Sequence, residues 1–107
     1  MKVVFVKLES SSDKPIALQA MLKEDGTVID NFPLYGVYGH PYGEYAPFEL
    51  RDDRMDFGNI FSAIANGSRY SELRISHKAI VMGLKVQCHE EGGVVNEYQV
   101  TALTDIG

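Results

Sequence analysis

Residues Pro33 to Phe48 read PLYGVYGHPYGEYAPF, and the fold assignment turns on whether this stretch is regular structure. Tyr35, Tyr38, Tyr42 and Tyr45 alternate with Gly36, Gly39 and Gly43 and with Pro33, Pro41 and Pro47. The tyrosine spacing of 3, 4 and 3 would line one face of a helix. Glycines at ~1 kcal/mol each and Pro41 at ~3 kcal/mol argue against one. The stretch is therefore expected to be a long irregular loop, and such loops tend to be functional or mobile. Tyrosine supplies rigid contact area and a hydroxyl, while glycine lets the backbone adapt, which is the mixture binding loops use. The competing expectation is a lid whose tyrosines pack back over the sheet.

Upstream of this stretch the period is two. Val3, Val4, Phe5, Val6 and Leu8 read as a central strand buried on both faces. Ser10 to Pro15 forms a polar loop, and Ile16, Leu18, Ala20 and Leu22 occupy alternate positions of a second strand, although the propensities of Ala17 to Met21 also suit a helix. Lys23-Glu24-Asp25-Gly26-Thr27 has the composition of a hairpin turn, with Thr27 to Phe32 as the return strand.

Downstream, Phe57, Ile60, Phe61 and Ile64 fall at i, i+3, i+4 and i+7 and predict a core-packing helix. Asp53 or Asp56 would cap it, Asn66-Gly67 would stop it, and Gly58 inside it implies a close backbone approach. From Glu72 onward alternation returns. Leu73, Ile75 and His77 share a face; Ile80, Met82, Leu84, Val86 and Cys88 share another; Glu90-Glu91-Gly92-Gly93 turns the chain into a last strand, Val94 to Ile106.

The fold expected is α+β, a curved antiparallel sheet of five to six strands in the order β-β-β-loop-α-β-β packed on one helix. Its core would comprise Val4, Phe5, Val6, Ile16, Leu18, Leu22, Ile29, Phe57, Ile60, Phe61, Ile64, Ile80, Met82, Leu84, Val86 and Val100. A chain of 107 residues forms one domain, 1–107, and its 45% hydrophobic and 23% charged residues suit a globular core rather than disorder. The last strand, free of proline, is open to pairing with a second copy, which allows a homodimer.

Charge and cysteine usage narrow the function. Lys+Arg 10 against Asp+Glu 15 gives a net charge of -5, which disfavours direct nucleic acid binding and favours a basic protein partner. Cys88 is the only cysteine, so no intramolecular disulfide forms. The apolar run after Met1 is too short for a signal-peptide core, and no run of ~18 apolar residues is present to span a membrane. A cytoplasmic protein is expected.

No catalytic residues, cofactor or metal follow from the sequence. His40, His77, His89 and Cys88 match no zinc spacing, and adjacent Cys88 and His89 on a strand would face opposite ways. Cys88 reads as a buried apolar residue. YGVYGHPYG lacks the strand-to-helix setting of a phosphate loop, and Asn66-Gly67-Ser68 reads as a helix end rather than a glycosylation site. The expected working surface joins the tyrosine stretch to nearby acids: Tyr35, Tyr38, His40, Tyr42, Glu44, Tyr45, Glu49, Asp52 and Asp53. This points to a small acidic, non-enzymatic protein that blocks a protein partner, in the manner of an immunity protein or inhibitor. The alternatives are a small-molecule binder or enzyme with a pocket under residues 33–48, holding His40, Tyr42 and Glu44, and a structural subunit of a larger assembly.

Overall fold

The computed structural model describes residues 1–12, 14–29, 33–39, 45–58, 69–90 and 92–106. They form eight antiparallel strands: β1 Lys2–Glu9, β2 Ile16–Leu22, β3 Leu34–Gly39, β4 Tyr45–Arg51, β5 Arg54–Asp56, β6 Tyr70–Leu73, β7 Lys85–Glu90 and β8 Val95–Asp105. Each pairs with the next in sequence, and β8 pairs back onto β1. The architecture is a closed up-and-down barrel, not an α+β sheet packed on a helix. The helix expected from Phe57, Ile60, Phe61 and Ile64 falls mostly on 59–68, outside the described residues; no helix occurs among those that are described.

The tyrosine stretch is where the expectation fails. Leu34–Gly39 and Tyr45–Arg51 pair from Leu34↔Leu50 to Gly39↔Tyr45, so the stretch is two neighbouring strands rather than a loop. Its inward face on β3 is Leu34, Gly36 and Tyr38, and on β4 Ala46, Phe48 and Leu50. Pro47 lies beyond the end of the β5 ladder, which reaches only Glu49, so a residue without an N–H is tolerated there. Arg51 and Arg54 then pair across Asp52 (φ 50) and Asp53 (φ 66), a two-residue hairpin turn in which both central residues are left-handed. Aspartate tolerates that conformation better than most residues, so Asp52 and Asp53 serve the turn rather than a helix cap.

Strand β2 has the burial alternation its sequence predicts, with Ile16, Leu18, Ala20 and Leu22 inward. The turn after it also forms: Asp25 Oδ1 accepts from Thr27 N and Oγ1, and Gly26 takes φ +85. Of the expected return strand Thr27 to Phe32, residues 30–32 lie outside the described residues, and 27–29 form no strand. Val28 makes one bridge to Leu22, and β2 instead pairs with β3. β1 is not buried on both faces either; Phe5 is 43% exposed.

One end of the barrel is closed by the connection between β6 and β7. Ile75 and Ile80 enter the core, Ile80 N donates to Gly26 O at 2.9 Å, and Ala79 bridges Thr27. Asp53 anchors this connection: its Oδ1 accepts from Ile75 N (3.2 Å), Ser76 N (2.9 Å) and Ser76 Oγ (2.7 Å). His77 (φ 64) and Met82 are exposed in this connection rather than sharing the inward faces of strands.

The interior holds Val4, Val6, Leu8, Met55, Phe57, Leu73, Val86, Cys88, Tyr98 and Val100 with the inward residues already named. Ile29 is half-buried, and Ile60, Phe61 and Ile64 are outside the described residues. The void between Val6, Leu18, Val28, Ile80 and Val86 measures about 10 Å³ and has an apolar lining, too little for a ligand and unsuited to water. An eight-stranded barrel is just narrow enough for side chains to fill.

Candidate functional site

With the described interior packed, the surface able to take part in recognition is the outside of the barrel, and its two halves differ. Outward residues of β5 to β8 include Arg54, Asp56, Glu72, Lys85, Gln87, His89, Glu97 and Gln99, mostly charged or polar. Those of β1 to β4 include Val3, Phe5, Ala17, Met21, Tyr35, Val37, Tyr45 and Pro47. Folding of the barrel does not require such side chains on the outside, and contiguous apolar surface is a feature of interaction sites.

The register shows how the face is assembled. Phe5 pairs Gln19, Gln19 pairs Tyr35 and Tyr35 pairs Glu49, forming one row; Lys7, Ala17, Val37 and Pro47 form the next. Phe5 and Tyr35 (62% exposed) project on either side of low ground made by Ala17, Gly36 and Gly39. The result is an apolar groove of about 440 Å³, with the Gln19 amide as its polar side-chain group. Tyr45, 52% exposed, extends the face along β4.

The expected site residues thus separate. Tyr35, Tyr45 and Glu49 lie on the outer wall, Glu49 with Arg51 at 3.6 Å. Tyr38 is 3% exposed and points inward, its ring tilted against Phe57 at 5.8 Å between centroids, and its hydroxyl donates to Glu90 Oε1 at 2.9 Å. Asp52 and Asp53 form the turn at the far end of β4, and the carboxylate of Asp53 is committed to residues 75–76. His40, Tyr42 and Glu44 lie outside the described residues. Tyr35, Tyr45 and Glu49 thus share the outer wall, whereas Tyr38 is core and the Asp53 carboxylate holds the connection at 75–76. Phe5, Ala17 and Gln19 were missed because β1 was read as buried on both faces, with Phe5 in the core, and β2 was read only for its inward alternation.

Inside, a second set of groups is conspicuous. Tyr98 is fully buried and donates to Lys14 O at 2.7 Å. Burial raises its hydroxyl pKa, and burial together with nearby Tyr98 and Glu90 raises that of Tyr38. Burial also pushes the Cys88 thiol up to about 12, so it is a protonated apolar residue rather than a nucleophile. No cluster of His, Cys, Asp and Glu among the described residues could hold a metal. No helix there is long and apolar enough to cross a membrane. The described interior is apolar, and the outer face of β5 to β8 is mostly charged or polar.

Comparisons with protein-family models, with curated proteins and with solved structures find no match for this chain. The functional reading rests on the geometry of the wall.

Proposed function

We propose that the chain is a non-enzymatic binding protein that captures and blocks a protein partner on the outer wall of β1 to β4. The observation that carries this is the apolar groove between Phe5 and Tyr35, placed where a barrel needs only polar residues. Aromatic side chains on rigid strands make good anchors, because little conformational freedom remains to be lost on binding. The packed interior favours this reading over a ligand carrier of the barrel-cavity type.

The test is affinity capture from the source cells with wild-type protein and with the Phe5→Ser, Tyr35→Ala double variant. A partner retained by wild type and lost by the variant at unchanged melting temperature supports the wall. Equal capture by both would sink it.

A further inference from the structure

Closure bonds every strand on both sides, so two copies of the chain meet by outer faces rather than by edges. The outside of a barrel is convex, and two convex walls touch best along a line parallel to both barrel axes. Followed strand by strand around the barrel, the register returns to β1 displaced by about ten residues, which tilts the strands by roughly 40° from the axis. A step of one strand and two residues, about 4.8 Å across and 6.7 Å along, runs about 35° from the strands in the same sense. Val3, Gln19, Val37 and Tyr45 are related by such steps, one residue on each strand of the wall, and form a line nearly parallel to the barrel axis.

The two sides of this line complement each other. On one side stand Phe5, Ala17 and Gly39, with Lys7 beyond them; on the other stand Met21, Tyr35 and Pro47, with Glu49 beyond them. A two-fold axis laid along the line turns each side toward the other. Bulk then meets a small residue, Tyr35 over Ala17 of the second copy and Pro47 over its Gly39, and Lys7 comes beside its Glu49. The groove of about 440 Å³ at Ala17, Gly36 and Gly39 is the space the second copy's Tyr35 enters. Lys7 and Glu49 now sit in exposed pairs, with Glu9 and with Arg51, each at 3.6 Å, and exposed pairs hold weakly enough to be shared.

Net charge favours the same occupant. The charged residues of β1 to β4 are Lys2, Lys7, Glu9, Glu49 and Arg51, and Lys2 bridges Asp105 of β8 at 3.4 Å, so three cations meet three anions. Lys23, Glu24, Asp25, Asp52 and Asp53 belong to the turns at the wall's end. The acid excess of a chain of net charge -5 therefore lies off these strands, and two copies repel each other least wall to wall. We propose that the wall pairs with the wall of a second copy about this two-fold line, forming a weak homodimer. This goes beyond the reading of the wall as a face for another protein, since a second copy competes with that partner for the same surface, and the two are decided by different measurements.

The experiment is sedimentation velocity of the purified protein from about 1 μM to about 1 mM, over which wild type should pass from monomer to dimer. Phe5→Ser, Tyr35→Ala should stay monomeric throughout. Lys7→Glu and Glu49→Lys should each weaken pairing by about tenfold, because each places two like-charge contacts in the dimer. Mixed in equal amounts, these two variants should recover the wild-type affinity, since both contacts of the mixed dimer again join opposite charges. A monomer at every concentration, or a dimer untouched by Phe5→Ser, Tyr35→Ala, overturns the pairing and leaves the capture of another protein to its own test. A dimer that the wall variant breaks but that ignores both charge reversals, or is not recovered in the mixture, overturns the two-fold arrangement.

Discussion

The ring of Phe48 on β4 fills the space that a side chain at Gly36, its cross-strand partner on β3, would otherwise take. A β-carbon at Gly36 would come 2.5 Å from Phe48 Cζ and 2.5 Å from Ala17 O. The ring cannot simply swing aside, because it packs edge-on against Phe57 at 6.0 Å. Gly36→Ala is expected to destabilise the barrel by about 2–3 kcal/mol through overpacking. Urea unfolding measures it; a loss below about 0.5 kcal/mol would show that the β3–β4 contact is looser than this.

Tyr38 and Tyr35, three residues apart, face opposite ways. Tyr38→Phe removes the hydrogen bond to Glu90 and should cost about 1–2 kcal/mol with partner capture unchanged. Tyr35→Ala should leave stability within about 0.5 kcal/mol and weaken capture. Swapped outcomes, with Tyr38→Phe abolishing capture at native stability, would refute the orientation of β3.

The Asp53 carboxylate satisfies two backbone N–H groups and one hydroxyl in the connection that closes the barrel. Asp53→Ala should cost about 2–3 kcal/mol, combining orphaned donors with a left-handed residue that has lost its aspartate. Asp53→Asn keeps one acceptor oxygen and tolerates the same φ, so its loss should be smaller. Amide exchange at Ile75 and Ser76 in Asp53→Ala reports the cause; unchanged protection there would count against it.

Burial gives the barrel an alkaline limit. Cys88 is raised from 9.0 to about 12, and Tyr38 and Tyr98 are raised from 10.0. Each group holds its proton more tightly folded than unfolded, so above its ordinary value the unfolded chain binds fewer protons and stability falls as pH rises. The contribution is intact below 9.0, begins to fade for Cys88 from there, and fades for the tyrosines above 10.0. Melting temperature should fall progressively from about pH 9 upward, and native Cys88 should resist thiol reagents at neutral pH. A melting temperature flat to about pH 11, or rapid native labelling, would contradict this burial.

Much of the local structure was legible. Ile16, Leu18, Ala20 and Leu22 announced an inward strand face by alternation, and Asp25-Gly26-Thr27 announced its turn. The β3–β4 pair was not, because two glycines interrupt the pattern that Leu34 and Tyr38 begin, and because tyrosines on both faces gave a false helical spacing. Ala46, Phe48 and Leu50 did carry a period of two, masked by Pro47. Of the expected site, Tyr35, Tyr45 and Glu49 proved to lie on the wall, whereas Tyr38 and Asp53 were drawn into packing and a turn.

Closure lay beyond the sequence. Two-residue periodicity says that a strand has two faces; it does not say which strand lies beside it. Pairing Val4 with Asp105 and Glu9 with Gln99, across a bulge between Lys7 and Leu8, joins residues from opposite ends of the chain. That pairing leaves β8 bonded on both sides, which removes the free edge expected for a homodimer. It also sets the curvature that turns one face of every strand inward. Sequence alone determined where apolar residues alternate, where the chain can turn, and that Cys88 has no disulfide partner. Only the tertiary structure decided that Phe5 and Tyr35 stand outside on one wall, because their positions depend on strand neighbours and not on residues adjacent in the chain.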